Sequence, residues 1–179
     1  MKKFLHIGCG DKYIPGFIHI DARKLPHVDY VTPADKLDMF QDNSVDLIYN
    51  CHVLEHFKRN DVEKVLEEWY RILKPGGILR IAVPDFEKLV EVYLKYKDLN
   101  LIIGPLYGRQ DYSENFHYTV FDFSTLKALL RRVGFGKVYR YDWRKTIHKD
   151  YDDYSQAYIP HMDREKGLLI SLNVEAVKG

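Results

Sequence analysis

Two short stretches hold residue types that could do chemistry. Gly8-Cys9-Gly10 closes the apolar run Phe4-Leu5-His6-Ile7, and Asp21 closes the next one, Phe17-Ile18-His19-Ile20. Glycines after a strand let backbone approach a ligand, and an acidic residue ending the second strand can accept hydrogen bonds from ribose hydroxyls. The glycine pattern is too short for a pyrophosphate fingerprint, and Asp21 comes sooner than that fingerprint expects. A nicotinamide cofactor therefore fits poorly, and an adenosine cofactor without a diphosphate fits better. Alone, Gly-Cys-Gly is more often a plain turn.

The second stretch, His52-Val53-Leu54-Glu55-His56, spells H-x-x-E-H, the signature of one zinc protease class. Two histidines four apart on a helix could share a metal, with Glu55 as base. Yet the stretch directly follows a strand, where helix has a turn or two at most. No third ligand stands out, although His6, His117 and His148 are available. The expectation is no metal, with Leu54 packed and His56 capping or at the surface. A zinc hydrolase is the remote alternative.

These residues need elements to hold them. Apolar runs predict strands at 4–7, 17–20, 45–49 and 78–83, a short one at Tyr30-Val31, and two late ones at 137–143 and 168–177. Val62, Val65, Leu66, Trp69, Ile72 and Leu73 form one stripe of a helix over 60–73, capped by Asn60 with Glu63 and stopped by Lys74-Pro75-Gly76-Gly77. A helix over 86–97 should turn Phe86, Leu89, Val90, Tyr93 and Leu94 inward. Another, over 125–133, is expected to take Ser124 as its cap and end at Gly134, with Leu126, Leu129, Leu130 and Val133 inward.

Strands alternating with helices argue for a parallel sheet covered on both faces. One junction resists, because only Cys9 to Gly16 joins the first two strands, and a parallel crossover usually needs a dozen residues or more. Eight extended residues reach roughly 26–29 Å, against about 16–17 Å for a five-residue strand. An extended return loop can therefore serve, with a hairpin as the rival. Stretches 98–123 and 144–166 lack periodicity and are read as substrate or lid loops.

The 179 residues suit one domain over 1–179, and a content of 46% hydrophobic and 30% charged residues is that of a globular chain. With 27 basic and 26 acidic residues the formal charge is +1, so no broad basic field is available for DNA. No apolar run approaches the ~20 residues of a membrane span, and Met1-Lys2-Lys3 does not open a secretory signal. Cys9 and Cys51 cannot make a disulfide framework, and two free thiols in the cytoplasm are expected.

Taken together, His6-Ile7-Gly8-Cys9-Gly10, Ile18-His19-Ile20-Asp21, Asp42-Asn43-Ser44-Val45-Asp46-Leu47-Ile48, Leu54-Glu55-His56 and Leu73-Lys74-Pro75-Gly76-Gly77 stand in order at compatible distances. This set resembles the class I S-adenosylmethionine-dependent methyltransferases, particularly the short type 11-like group, over about residues 4–143 and again in the last strand. The resemblance implies an α/β, Rossmann-like three-layer sandwich, shortened at its N-terminus, with a seven-stranded, mostly parallel sheet and an antiparallel last strand. It implies S-adenosyl-L-methionine as cofactor and S-adenosyl-L-homocysteine as product. Carried over by position, Gly8, Cys9 and Gly10 would face the methionine part, and Asp21 the ribose. Ala34 and Asp35 would meet the adenine amino group, while Asn50, Cys51 and His52 would line the sulfonium side. Two departures stand out. His6 replaces the family's usual acidic residue, and the first strand starts almost at Met1, so one side of the pocket would need cover from loop 98–123 or a partner subunit.

The implied reaction is attack by an acceptor lone pair on an already activated methyl group, for which a protein mostly supplies proximity, alignment and dryness. His117 is the first choice for a base, since its ordinary pKa lies near neutrality, and Asp85 is the second. Tyr107 and Tyr112 are candidates for an acceptor pocket. The expected acceptor is a small molecule or sugar-containing metabolite, with RNA or protein as the enzymatic alternative and a catalytically inactive cofactor-binding subunit as the other. A homo-oligomer is a further expectation open to test.

Overall fold

The computed structural model describes residues 2–111 and 115–179. In chain order its strands are β1 (Phe4–Ile7), β2 (Ile18–Asp21), β3 (Tyr30–Val31), β4 (Val45–Cys51), β5 (Leu73–Pro84), β6 (Phe135–Arg140), β7 (Tyr158–Ile159), β8 (Leu168–Leu169) and β9 (Ser171–Lys178). Four helices accompany them: α1 (Val62–Ile72), α2 (Phe86–Tyr96), α3 (Asn100–Tyr107) and α4 (Phe123–Val133). Seven strands form one sheet in the order β3-β2-β1-β4-β5-β9-β6, and β7 pairs β8 separately. The first five strands of the sheet run parallel, while β9 is antiparallel to both β5 and β6. This is the α/β sheet the sequence predicts.

The short junction resolves in favour of the parallel reading. Leu5 pairs Ile18 and Ile7 pairs Ile20 in parallel register, and the residues between return without a helix. Buried His19 helps fold the loop back, since its Nε2 accepts the Ile14 N–H at 2.9 Å.

One face of the sheet is covered by helices. α1 buries Val62, Val65, Leu66, Trp69 and Ile72, and α4 adds Leu126 and Leu130 to the same apolar core. The Trp69 indole N–H reaches the Ala34 carbonyl at 2.8 Å, tying α1 to the segment after β3. The ends of the helices differ from expectation. The N-cap of α1 is Asp61, with no side-chain cap bond, so the Asn60–Glu63 box does not form. Lys74-Pro75-Gly76-Gly77 lies inside β5, with a register shift opposite it in β4. Asp122 and Thr125, not Ser124, build the capping box of α4, where Ser124 only donates to Asp122 at 2.9 Å.

The other face is covered without a long helix. Ile14 and Phe17 pack on Leu47 and Tyr49, and the segment after β6 supplies the rest. His148 lies on the Tyr49 ring with centroids 3.9 Å apart, and Tyr49 donates to Asp153 at 2.5 Å. Trp143, Thr146, His148, Ser155 and Gln156 are buried, so part of the 144–166 stretch packs against the sheet. The predicted inward face of α2 is also corrected. Leu89 and Val92 are buried, whereas Phe86, Val90, Tyr93 and Leu94 are exposed. Stretch 98–123 contains α3, which the sequence pattern conceals because Gly104 and Pro105 look like breakers. No helix among the described residues is long and apolar enough to cross a membrane.

Candidate functional site

The glycine turn stands at the C-terminal edge of β1, where both glycines take conformations that side chains resist. Gly8 has φ +64° and Gly10 φ +56°. At Gly8 space is also closed, because a Cβ would overlap the Val53 side chain. The 52–56 segment is therefore packed directly against the turn.

Asp21 fixes that turn. Its Oδ2 accepts the Gly10 N–H at 2.7 Å, and its Oδ1 accepts the Arg23 N–H at 2.9 Å and Nε–H at 3.2 Å. A carboxylate has about four acceptor sites, so one remains, and the Arg23 side chain, 44% exposed, can yield another. Cys9 is buried beside Gly10, and its thiol is pushed up to about 12 by burial and then by the Asp21 charge. It is a neutral packing group. Burial likewise holds the Cys51 thiol well above its ordinary value, and the two cysteines are unbridged.

Asn50 ends the fully buried part of β4. It is 0% exposed, and neither its amide oxygen nor its amide nitrogen has a hydrogen-bond partner. An amide left so at a sheet edge is unfavourable by about 1–3 kcal/mol unless something else supplies the bonds. His52, just beyond, has φ +56° and an Nε2 that is also buried and unpartnered.

His6 does not join the turn. It is buried in a stack of rings, 5.2 Å from Tyr49 and 5.7 Å from His19 between centroids. Burial first, then neighbouring His19 and His148, lowers its pKa to about 3. The side chain at this position is therefore a neutral core group. Ala34 and Asp35 follow β3, the former half-buried with its carbonyl held by Trp69, the latter exposed.

Beyond the turn lies a second cluster. Residues 54–56 form one short turn of 3-10 helix, too short to align His52 and His56 on one face. Instead His117 arrives from the distant strap 115–121. One donor atom each from Glu55, His56 and His117 lies within 4.8 Å of the others. The strap is fastened by backbone: the Tyr118 and Thr119 N–H groups donate to the Glu55 carbonyl at 2.8 and 3.2 Å, and the Thr119 hydroxyl donates to the Phe57 carbonyl at 2.8 Å.

The His117 Nδ1 stands 2.8 Å from the Pro105 carbonyl, and the His56 Nδ1 stands 3.1 Å from that of Phe116. A neutral imidazole meets a carbonyl with its N–H, so the free lone pair of each ring is on Nε2. Burial lowers the pKa of His117, partly offset by the Glu55 carboxylate. Glu55 is 0% exposed and has no hydrogen bond to either oxygen, although His52 Nδ1 lies 3.2 Å from Oε1. The Tyr154 ring sits 5.2 Å from that of His52.

Asp85, the second candidate base, is held by the scaffold. Its Oδ1 caps α2 through the Glu87 N–H at 3.2 Å, its Oδ2 pairs with Arg140 at 2.9 Å, and it is 1% exposed. Tyr107 is exposed at the end of α3, and its carbonyl accepts the His117 N–H of the strap at 3.1 Å. Tyr112 lies outside the described residues. Glu55 and His56 are visible in the sequence as part of H-x-x-E-H, but nothing in the spacing pairs them with a histidine 61 residues later.

Comparison with known proteins bears on the family and the fold. Residues 9–81 match the family model of a methyltransferase domain. Over 120 residues the chain is 34% identical to the ubiquinone/menaquinone biosynthesis C-methyltransferase UbiE of Pseudoalteromonas translucida, an overlap of 61% of this chain and 46% of that protein. The chain thus spans under half the length of that relative. Its fold is similar to a SAM-dependent methyltransferase from Archaeoglobus fulgidus, with TM-score 0.61 and 17% identity over 99% of this chain and 86% of that one. It is also similar to the Burkholderia thailandensis 1,6-didemethyltoxoflavin-N1-methyltransferase, solved with S-adenosylhomocysteine, with TM-score 0.58 and 17% identity over 99% and 72%.

Proposed function

We infer that this chain, which through residues 9–81 belongs to the type 11 group of methyltransferase domains, binds S-adenosylmethionine at the glycine turn and methylates a small-molecule or sugar-containing acceptor. The observation that carries the reading is the turn itself, two left-handed glycines locked by the carboxylate that ends β2. The residues fit the cofactor. Gly8 leaves no room for a side chain, Asp21 keeps acceptor capacity for hydroxyls, and Asn50 holds a buried amide with both ends unpartnered.

When bound, the cofactor supplies a methyl group made electrophilic by its sulfonium charge. The chain's own residues do the rest. Backbone at Gly8 and Gly10 lets the methionine end approach, and Asp21 orients the ribose. Asn50 and His52 border the reacting end. His117 offers a neutral Nε2 that can take a proton from an acceptor hydroxyl or amine, with buried Glu55 beside it to stabilise the charge that results. Cys9 and Cys51, both neutral, exclude water without competing as nucleophiles.

The test is incubation with methyl-labelled S-adenosylmethionine and a panel of small hydroxyl and amine compounds. Formation of S-adenosylhomocysteine with label in one acceptor class is the expected result. No product from any acceptor, together with no binding of either cofactor form, would refute it.

A further inference from the structure

We propose that Glu55, His56 and His117 hold a divalent first-row transition-metal cation beside the glycine turn, and that the cation's open positions take the oxygen of a hydroxyl acceptor. The first half stands on the cluster alone. The second rests on the methyltransferase reading.

Three observations converge. Glu55 is an anion buried to 0% exposure with no hydrogen bond to either carboxylate oxygen. The His52 Nδ1 lies 3.2 Å from Oε1, while Oε2 has no hydrogen-bond partner; a buried carboxylate is strongly unfavourable unless paired, and a bound cation would complete the pairing. Both imidazoles are pre-oriented through the far nitrogen, His117 on the Pro105 carbonyl and His56 on that of Phe116. This is the arrangement by which metal-ligating histidines fix their tautomer and turn Nε2 toward an ion. Finally, a donor atom of each residue lies within 4.8 Å of the others, with the two imidazole rings crossed at 81°. Bonds of about 2.0–2.2 Å bring neighbouring ligands to roughly 3–3.5 Å, so binding would draw the donors together by about 1–2 Å.

Two imidazoles and one carboxylate favour zinc, manganese or iron over magnesium or calcium, which prefer oxygen alone. Three protein ligands leave positions open. Val53, two residues before Glu55, packs against Gly8, so the segment that carries two of the ligands is anchored to the turn. A hydroxyl bound to the cation loses its proton to water more readily, and the ligated oxygen is then the nucleophile. The acceptor is then an alcohol, phenol or sugar hydroxyl, and with the cation bound His117 serves as a ligand in place of its role as base, the proton leaving to water.

The experiment is calorimetric titration of chelator-treated protein with Zn²⁺ and, separately, Mn²⁺, with S-adenosylhomocysteine titrated into the same preparations. Wild type should bind one equivalent of metal, and Glu55→Gln and His117→Ala should each weaken it at least a hundredfold while circular dichroism shows a folded chain. If Glu55→Gln does not fold, His117→Ala decides the matter, since His117 is only half-buried. Absence of saturable metal binding by wild type, or wild-type affinity in His117→Ala, overturns the site. Metal binding without S-adenosylhomocysteine binding keeps the cation site and removes the methyltransferase reading, and the converse result does the opposite.

Discussion

The two sides of the candidate site are built from very different lengths of chain. The donor side comes from Gly8, Gly10 and Asp21, within one strand-turn-strand unit whose carboxylate closes on its own turn at 2.7 Å. The acceptor side joins Glu55 and His56 to His117, and it exists only because the strap 115–121 is stitched to the 54–56 turn by backbone bonds. The donor side is thus set by local conformation, and the acceptor side by tertiary contact. The first should be hard to disturb except by changing its own residues. The second should respond to substitutions in whatever holds the strap.

That contrast is sharpest in His117→Ala. Turnover should fall by about 10²–10⁴, the usual range for loss of a group acting on the acceptor, while S-adenosylhomocysteine affinity stays within about twofold. A parallel fall in cofactor affinity, measured by calorimetry, would merge the two sides into one. Gly8→Ala tests the opposite side. Forcing a Cβ into a left-handed position against Val53 should destabilise the chain by about 2–4 kcal/mol and remove cofactor binding, both read from thermal melts with and without ligand.

The floor beneath the donor strands gives a pH test. Burial lowers His6 to about 3 and His148 to about 4, both below the ordinary 6.5. Below that value the unfolded chain binds protons that the folded one refuses, so stability is full above about pH 6.5 and declines as pH falls toward 4. Each histidine contributes about 1.4 kcal/mol per pH unit in that window, and melts at pH 7.5 and 5.5 should differ by roughly 2–3 kcal/mol. His6→Phe should remove about half of that difference, the His148 share remaining; an unchanged slope would mean that the ring is not buried neutral. The smallest effect expected is that of Thr119→Val, which removes the strap's hydroxyl bond to Phe57. It should lower stability by about 1 kcal/mol and weaken the acceptor side while leaving cofactor affinity alone.

The same contrast explains what the sequence made legible. Strand, glycine turn, second strand and terminal carboxylate lie within residues 4–21, so pattern and spacing single out the proposed donor side directly. H-x-x-E-H is visible too, but its helix-period reading pairs His52 with His56. The chain makes only one short turn there, and the partner comes from His117 instead. Helix α2 is legible but rotated, because apolar residues surround much of its circumference and periodicity cannot choose the buried stripe. Leu89 and Val92 face inward because α3, β7 and β8 pack there, and those elements are hidden by Gly104, Pro105 and an aperiodic stretch. His6 shows the reverse limit. A residue that departs from a family pattern looks like a lost ligand contact, yet its side chain fills the core between His19 and Tyr49.

The most direct test of the central claim is calorimetric titration of S-adenosylhomocysteine into wild type and Asp21→Ala, both shown to be folded. One micromolar site is predicted in wild type, weakened about 10- to 100-fold or more when the carboxylate that locks Gly10, and is proposed to face the ribose, is removed. Binding unaffected by Asp21→Ala, or no binding by folded wild type, would contradict it.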